Sequence, residues 1–197
     1  MNSTTLSFSN LHTHGRLFSD ILKARGADGT APSTWDLPPS LETGGYDQYD
    51  TPVSRWIAVD DGAGQVLAGA RLTPTTAQAG VYSYMIRDAQ AGLIDQVPTD
   101  LLAGPAPVDP AIWEMTRGFV AAGASGEVRD RANRQLIAQI LRTAREEGIA
   151  QLICILPCPW SDWAARRGLT GAPMGQVIDL DGRPHQAVLL DVDLQLH

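Results

Sequence analysis

Apolar residues recur at helical spacing in two stretches of the chain. Leu17, Ile21 and Leu22 between Arg16 and Ala24 predict a short amphipathic helix that ends near Gly26. Leu136, Ile137, Ile140, Leu141 and Ala144 line one side of Glu127 to Glu147, with Gly148 as a stop signal, and make this the strongest predicted helix. Elsewhere short apolar runs predict strands. Val53 to Val59 and Val66 to Leu72 form a hairpin pattern around Asp60-Asp61-Gly62-Ala63-Gly64, with Arg71 closing the second strand. The run from Tyr82 to Ile94 reads as helical, Ala111 to Val120 as a buried strand with charged residues inside it, and Gln151 to Leu156 as another strand. Pro159 opens a short helix that stops at Gly168, and two last strands, about Gln176 to Leu180 and His185 to Val192, flank the turn Asp181-Gly182-Arg183. Pro74 to Gly80 and Pro98 to Pro110 are turn-rich connections. Residues 26–50 are crowded with Gly, Pro, Ser and Thr. A loop of that length without its own element points to a substrate-covering lid. The succession helix, loop, hairpin, helix, strand, helix, strand, helix, strand, strand specifies an α/β sheet with helices on its faces.

Composition narrows the class of protein. The 197 residues suit a single domain spanning 1–197, and 44% hydrophobic with 19% charged residues fits a packed core. Fifteen Lys and Arg against 22 Asp and Glu leave a net charge of −7, the wrong sign for holding a nucleic-acid backbone. Cys154 and Cys158 form C-x3-C with no second pair, which gives neither a disulfide framework nor a structural zinc site, so no metal is expected. The first twenty residues contain no apolar core of a leader, and no apolar run is long enough to span a bilayer, so a cytoplasmic protein without membrane attachment is expected. There is no phosphate-binding glycine spacing and no G-x-S-x-G elbow, and His12, His14, His185 and His197 lie toward the termini, where solvated rings are expected.

Three charged clusters sit where the local pattern does not call for solvent: Asp47-Gln48-Tyr49-Asp50, Arg71-Leu72-Thr73-Pro74-Thr75 and Trp113-Glu114-Met115-Thr116-Arg117. Two acids three apart in a loop are equally well turn formers or ligands. Glu114, between Trp113 and Met115, must be paired, protonated or turned to a cleft, because an unpartnered buried carboxylate costs several kcal/mol. Strand alternation sends Glu114 and Arg117 to opposite faces unless the strand bulges, and Gly118 is the candidate bulge. These residues alone favour a structural ion-pair network over a catalytic set.

Taken in order, Arg25…Trp35…Asp47-x-Tyr49-Asp50…Arg71-Leu72-x-Pro74-Thr75…Tyr84-Met85…Trp113-Glu114-x-Thr116-Arg117 resembles the acyl-homoserine-lactone synthase (autoinducer synthase) family over about residues 16 to 120. The last third matches only in layout. The resemblance implies an N-acyltransferase-like (GNAT-like) mixed sheet flanked by helices. It implies a quorum-sensing enzyme that acylates S-adenosylmethionine, a substrate and not a resident cofactor, from acyl-acyl carrier protein or acyl-CoA. The product is an N-acyl-homoserine lactone, with methylthioadenosine released. The family's charged positions fall on Arg25, Asp47, Asp50, Arg71, Glu114 and Arg117, and its tryptophan on Trp35. Three positions depart from the pattern: Gly29 and Gln90 stand where the family usually has Phe, and Gly45 where Glu is common.

The residue types suit that chemistry. Asp47, Asp50 and Arg71 offer both signs to a substrate carrying an ammonium, a sulfonium and a carboxylate. An α-ammonium with a pKa of roughly 7.7–8.0 must lose a proton before it attacks a thioester, and Glu114 is the expected base, with Arg117 orienting the acids. A backbone N–H near Phe119 or Val120 is the expected oxyanion donor, and Ile153 and Ile155 the expected lining of the acyl pocket. The resemblance implies an acidic carrier protein, for which Arg131, Arg134, Arg142 and Arg145, one stripe of the long helix, are the candidate docking contacts, although a solvated face is the favoured reading of such a stripe. The alternatives are an N-acyltransferase that stops at the amide and a non-catalytic acyl- or carrier-binding homologue.

Overall fold

The computed structural model describes residues 1–27, 45–95, 97–121, 123 and 125–192. Its strands are β1 (Asn2–Leu6), β2 (Arg55–Asp60), β3 (Val66–Pro74), β4 (Ile112–Val120), β5 (Gln151–Pro157), β6 (Thr170–Leu180) and β7 (Arg183–Asp191). The helices are α1 (Leu17–Ala27), α2 (Met85–Gln90), α3 (Gly126–Glu147) and α4 (Trp160–Ala165), with a 3-10 turn at Leu11–Thr13. The strands form one mixed sheet in the order β1-β2-β3-β4-β5-β7-β6, in which β4 and β5 run parallel. Among the described residues no helix is long and apolar enough to cross a membrane. The chain divides into two compact units, Met1–Leu72 with Arg117–Thr143, and Thr73–Thr116 with Ala144–His197.

In the first unit β1, β2 and β3 pair antiparallel, with Leu6 opposite Trp56 and Trp56 opposite Arg71. Strand alternation puts Leu6, Trp56 and Ala58 on one face, where they are buried with Ile21 of α1 and Phe119. Phe18 meets the Trp56 ring edge-on at 4.7 Å, the arrangement aromatic quadrupoles favour. Each large apolar side chain buried here contributes roughly 1.5–3 kcal/mol. β1 is absent from the sequence reading because its only core residue is Leu6. Its other face docks on α3 by hydrogen bonds: Gln135 Nε2 donates to Ser3 Oγ, Gln139 Nε2 donates to Thr5 Oγ1, and the Thr5 and Thr143 hydroxyls lie 2.6 Å apart. A strand held by hydroxyls and amides leaves no hydrophobic period to detect.

In the second unit β5 pairs along its whole length with β7, from Gln151 opposite Asp191 to Pro157 opposite His185, and β7 pairs with the edge strand β6. The β4–β5 register covers Ile112, Trp113 and Glu114 against Gln151, Leu152 and Ile153. β6 begins six residues earlier than the sequence predicts, at Thr170 in place of Gln176. Pro173 and two glycines obscure it, and they are tolerated at an edge whose register shifts between Pro173 and Val177. Gly175 is required there: a Cβ would stand 2.0 Å from the Leu101 carbonyl oxygen. His185 is buried in β7, not solvated, with Nδ1 3.0 Å from the Arg183 carbonyl oxygen. α2 is confined to Met85–Gln90, the middle of the stretch that reads as helical.

Candidate active site

The D-x-Y-D turn of the first unit does both jobs open to it. Asp47 Oδ1 accepts the Tyr49 amide at 2.9 Å and Asp50 Oδ2 accepts the Asp47 amide at 2.9 Å, so each carboxylate fixes the local backbone. The same carboxylates hold a buried guanidinium network. Arg25 meets Asp50 through Nη1 at 3.2 Å and Nη2 at 2.5 Å, and Arg71 Nη1 lies 2.5 Å from Asp47 Oδ1 and 3.2 Å from Asp50 Oδ1. Arg117 Nε donates to Asp47 Oδ2 at 2.9 Å, and the Trp56 indole donates to Asp50 Oδ1 at 2.7 Å. Trp56 lies within the strand predicted over Val53 to Val59, and nothing in that pattern marks the indole N–H as a partner of Asp50.

Among the described residues three guanidinium cations, Arg25, Arg71 and Arg117, gather around two carboxylates, Asp47 and Asp50. Burial alone would raise the Asp50 carboxyl, but the Arg71 charge, the Arg25 hydrogen bond and charge and the Trp56 hydrogen bond outweigh it and hold its pKa at about 2. Burial lowers the pKa of Arg117, and the neighbouring Arg71 and Arg25 charges act in the same direction against the attraction of Asp47.

Arg117 differs from the other two arginines in backbone and in access. Its φ is +54°, so the irregularity in β4 falls on Arg117 itself and not on Gly118. Its side chain is 12% exposed, against 0% for Arg71. Among the described residues its hydrogen bond is made through Nε, and its two terminal nitrogens face away from that bond.

In the second unit Glu114 is fully buried, and its Oε1 and Oε2 accept the amides of Ile86 at 2.7 Å and Met85 at 3.1 Å. These are first-turn amides of α2, which have no partner within the helix. Burial, followed by the Glu114 charge, raises both the Tyr84 phenol and the Cys154 thiol far above their ordinary ranges, so both stay protonated. Ile153 is fully buried beside Glu114 in the β4–β5 register, and Ile155 is half-buried.

The remaining expected residues fall as follows. Gly45, in place of the common Glu, has φ +90°, its carbonyl accepts Arg25 Nη2, and a Cβ would lie 2.6 Å from the Leu22 carbonyl oxygen. No side chain fits at that contact. The Phe119 ring is in the core, which leaves its main chain for any role in chemistry. Gln90, in place of Phe, accepts the Ala106 amide and donates to the Gly104 carbonyl, both at 2.8 Å. Arg131, Arg134, Arg142 and Arg145 are all exposed along α3. Trp35, Gly29 and most of the expected lid lie outside the described residues.

No protein-family model matches the chain. It is 30% identical over 162 residues to an acyl-homoserine-lactone synthase of Ralstonia nicotianae, an alignment covering 81% of this chain and 74% of that protein. Among solved structures it is similar to BjaI, a CoA-dependent acyl-homoserine lactone synthase with SAM and isopentyl-CoA. That likeness has 24% identity and a TM-score of 0.74, covering 97% of this chain and 83% of the other. An acyl-CoA N-acyltransferase from Pseudomonas aeruginosa matches at 16% identity with a TM-score of 0.53, covering 95% of this chain and 97% of the other. These likenesses establish the N-acyltransferase-like architecture.

Proposed function

The chain belongs to the acyl-homoserine-lactone synthase family, and we propose that it N-acylates S-adenosylmethionine and closes the product to an N-acyl-homoserine lactone. The observation that carries this reading is the buried network that gathers Arg25, Arg71 and Arg117 around Asp47 and Asp50, with Arg117, 12% exposed, as its most accessible arginine. A substrate carboxylate matches the planar fork of the Arg117 guanidinium. Asp47 and Asp50 give the same network an acidic side to set against the substrate's cations.

The proposed reaction proceeds in two stages. Glu114, aimed by the Met85 and Ile86 amides, takes a proton from the α-ammonium directly or through one water. The freed amine attacks the thioester carbonyl, and a backbone N–H of Phe119 or Val120 holds the oxyanion until the C–S bond breaks; the leaving thiolate takes up the second amine proton and departs as a thiol, and an amide remains. A carboxylate oxygen of the same substrate then attacks the carbon next to the sulfonium. The C–S bond breaks with its electron pair on sulfur, and neutral methylthioadenosine departs. That step relies on substrate folding more than on a further base, because intramolecular geometry alone supplies a large effective molarity.

For the acyl donor, the exposed stripe of Arg131, Arg134, Arg142 and Arg145 is proposed to receive an acidic carrier protein. The bound isopentyl-CoA of the BjaI structure supports testing acyl-CoA beside it. Incubation of the purified protein with S-adenosylmethionine and either acyl-acyl carrier protein or acyl-CoA tests the proposal. The expected products are lactone and methylthioadenosine in equal amounts. Amide without methylthioadenosine would make the chain a simple N-acyltransferase, and no turnover with either donor would make it a binding homologue.

A further inference from the structure

The geometry points to Tyr84 and Gln90 as positioning residues for Glu114, acting as a two-point clamp that fixes α2 against the proline-rich segment 104–107. The inference rests on the reading of Glu114 as the base. α2 has six residues and no side-chain hydrogen bond at its N-cap Tyr84, too little to hold a helix in place by itself. Burial of Met85, Ile86 and Ala89 and the bonds to Glu114 hold part of it, and two further long-range ties hold both of its ends to segment 104–107. At the start of the helix the Tyr84 hydroxyl donates to the Pro107 carbonyl at 2.6 Å. At the end Gln90 Nε2 donates to the Gly104 carbonyl and Gln90 Oε1 accepts the Ala106 amide, both at 2.8 Å. The Ser83 and Asp88 bonds at the same helix start are local and do not tie it to another segment.

The chemistry of the segment selects the clamp. Residues 104–107 read Gly-Pro-Ala-Pro, so Pro105 and Pro107 have no N–H to offer and the Ala106 amide is the donor between them. One primary amide satisfies that donor and the Gly104 carbonyl at once, which neither an aromatic ring nor a carboxylate could do. This accounts for Gln90 at a position where an aromatic ring is the commoner choice. Tyr84 is fully buried, and burial raises the pKa of its phenol, which keeps the donor protonated throughout the working pH range. With both ends of α2 held to one segment, the Met85 and Ile86 amides keep their aim at the Glu114 carboxylate. A displacement of about 1 Å in such a supporting element is enough to slow chemistry by up to about 10²-fold.

The test compares Gln90→Leu, Tyr84→Phe and Glu114→Gln with the unaltered protein by steady-state kinetics, thermal unfolding and amide hydrogen exchange at Met85 and Ile86. Gln90→Leu is expected to lower kcat roughly 10- to 10²-fold. Its KM for S-adenosylmethionine should stay within about twofold, unfolding should remain cooperative, and the two amides should exchange about tenfold faster or more. Tyr84→Phe removes one oxygen and little packing, and carries the same expectation if Gln90→Leu does not fold. An unchanged kcat with unchanged exchange at both amides would overturn the clamp, as would a rise in KM that accounts for the whole loss. Glu114→Gln separates the two ideas. It should slow acylation by roughly 10²–10⁴-fold. If it retains full activity the base assignment fails, while the exchange rates in the Gln90 and Tyr84 variants still decide whether the clamp holds α2.

Discussion

Asp50 holds together more of the buried network than any other single side chain. Its carboxylate accepts from Arg25, the Trp56 indole and the Asp47 amide, and lies 3.2 Å from Arg71. Its pKa is held at about 2, below the ordinary carboxylate value, so its ionisation favours the folded state at every pH above the unfolded value. That contribution, on the order of 2 kcal/mol, is complete above about pH 4 and is lost as the pH falls through about 2. Asp50→Asn removes it and leaves Arg25 and Arg71 with less counter-charge. A loss of about 3–5 kcal/mol at neutral pH is expected in denaturant unfolding. Stability of the variant should also fall less steeply than that of the parent between pH 4 and 2, and identical acid slopes would assign the acid sensitivity to another group. Asp47, Asp50, Arg71 and Arg117 were legible in the sequence as charged clusters where the local pattern does not call for solvent, and Arg25 only through the family resemblance. Their pairing was not, since Arg25 and Asp50 are 25 residues apart and Asp47 and Arg117 are 70 apart. Nor was Trp56, whose periodicity describes its ring and says nothing of its N–H.

Among the elements, legibility followed how each one is held. α3 shows its apolar stripe and was found to within a residue, at Gly126–Glu147 against the expected Glu127 to Glu147. β1 is a polar edge strand zipped to α3 through Ser3 and Thr5, and periodicity cannot see it. β6 is masked by Pro173 and its glycines. β4 was found as a strand, with its irregularity expected one residue too late, because glycine is the residue that ordinarily takes φ > 0 and Gly118 adjoins the Arg117 that does. A non-glycine residue in that conformation stores about 1 kcal/mol or more, which is commonest where function over-determines the backbone. Arg117→Gly and Arg117→Ala separate strain from charge. Both lose the guanidinium, and both should raise KM for S-adenosylmethionine tenfold or more. Glycine should give the more stable protein, by about 1 kcal/mol in denaturant unfolding. Equal stability of the two variants would mean that the left-handed conformation at this position carries no strain.

For the whole molecule, charge is the property that bears on partners. A chain of net charge −7 repels an acidic carrier protein unless it offers a local basic surface, and the exposed arginines of α3 are the surface proposed for that role. Reversing Arg134 and Arg142 to Glu is expected to raise KM for acyl-acyl carrier protein and to leave KM for S-adenosylmethionine unchanged, an effect that weakens at high salt. Equal effects on both substrates would place these arginines outside the docking surface. The family is legible in the order of D-x-Y-D, R-L-x-P-T and W-E-x-T-R along the chain, while the identity of the acyl donor depends on surfaces that no local pattern encodes. The central claim is that Arg117 of the guanidinium network takes up the substrate carboxylate. Calorimetric titration with S-adenosylmethionine and with its decarboxylated analogue tests it most directly. S-adenosylmethionine should bind at least about tenfold more tightly than the analogue, the usual worth of a charge-assisted pair. Equal affinity for the two ligands would contradict the claim.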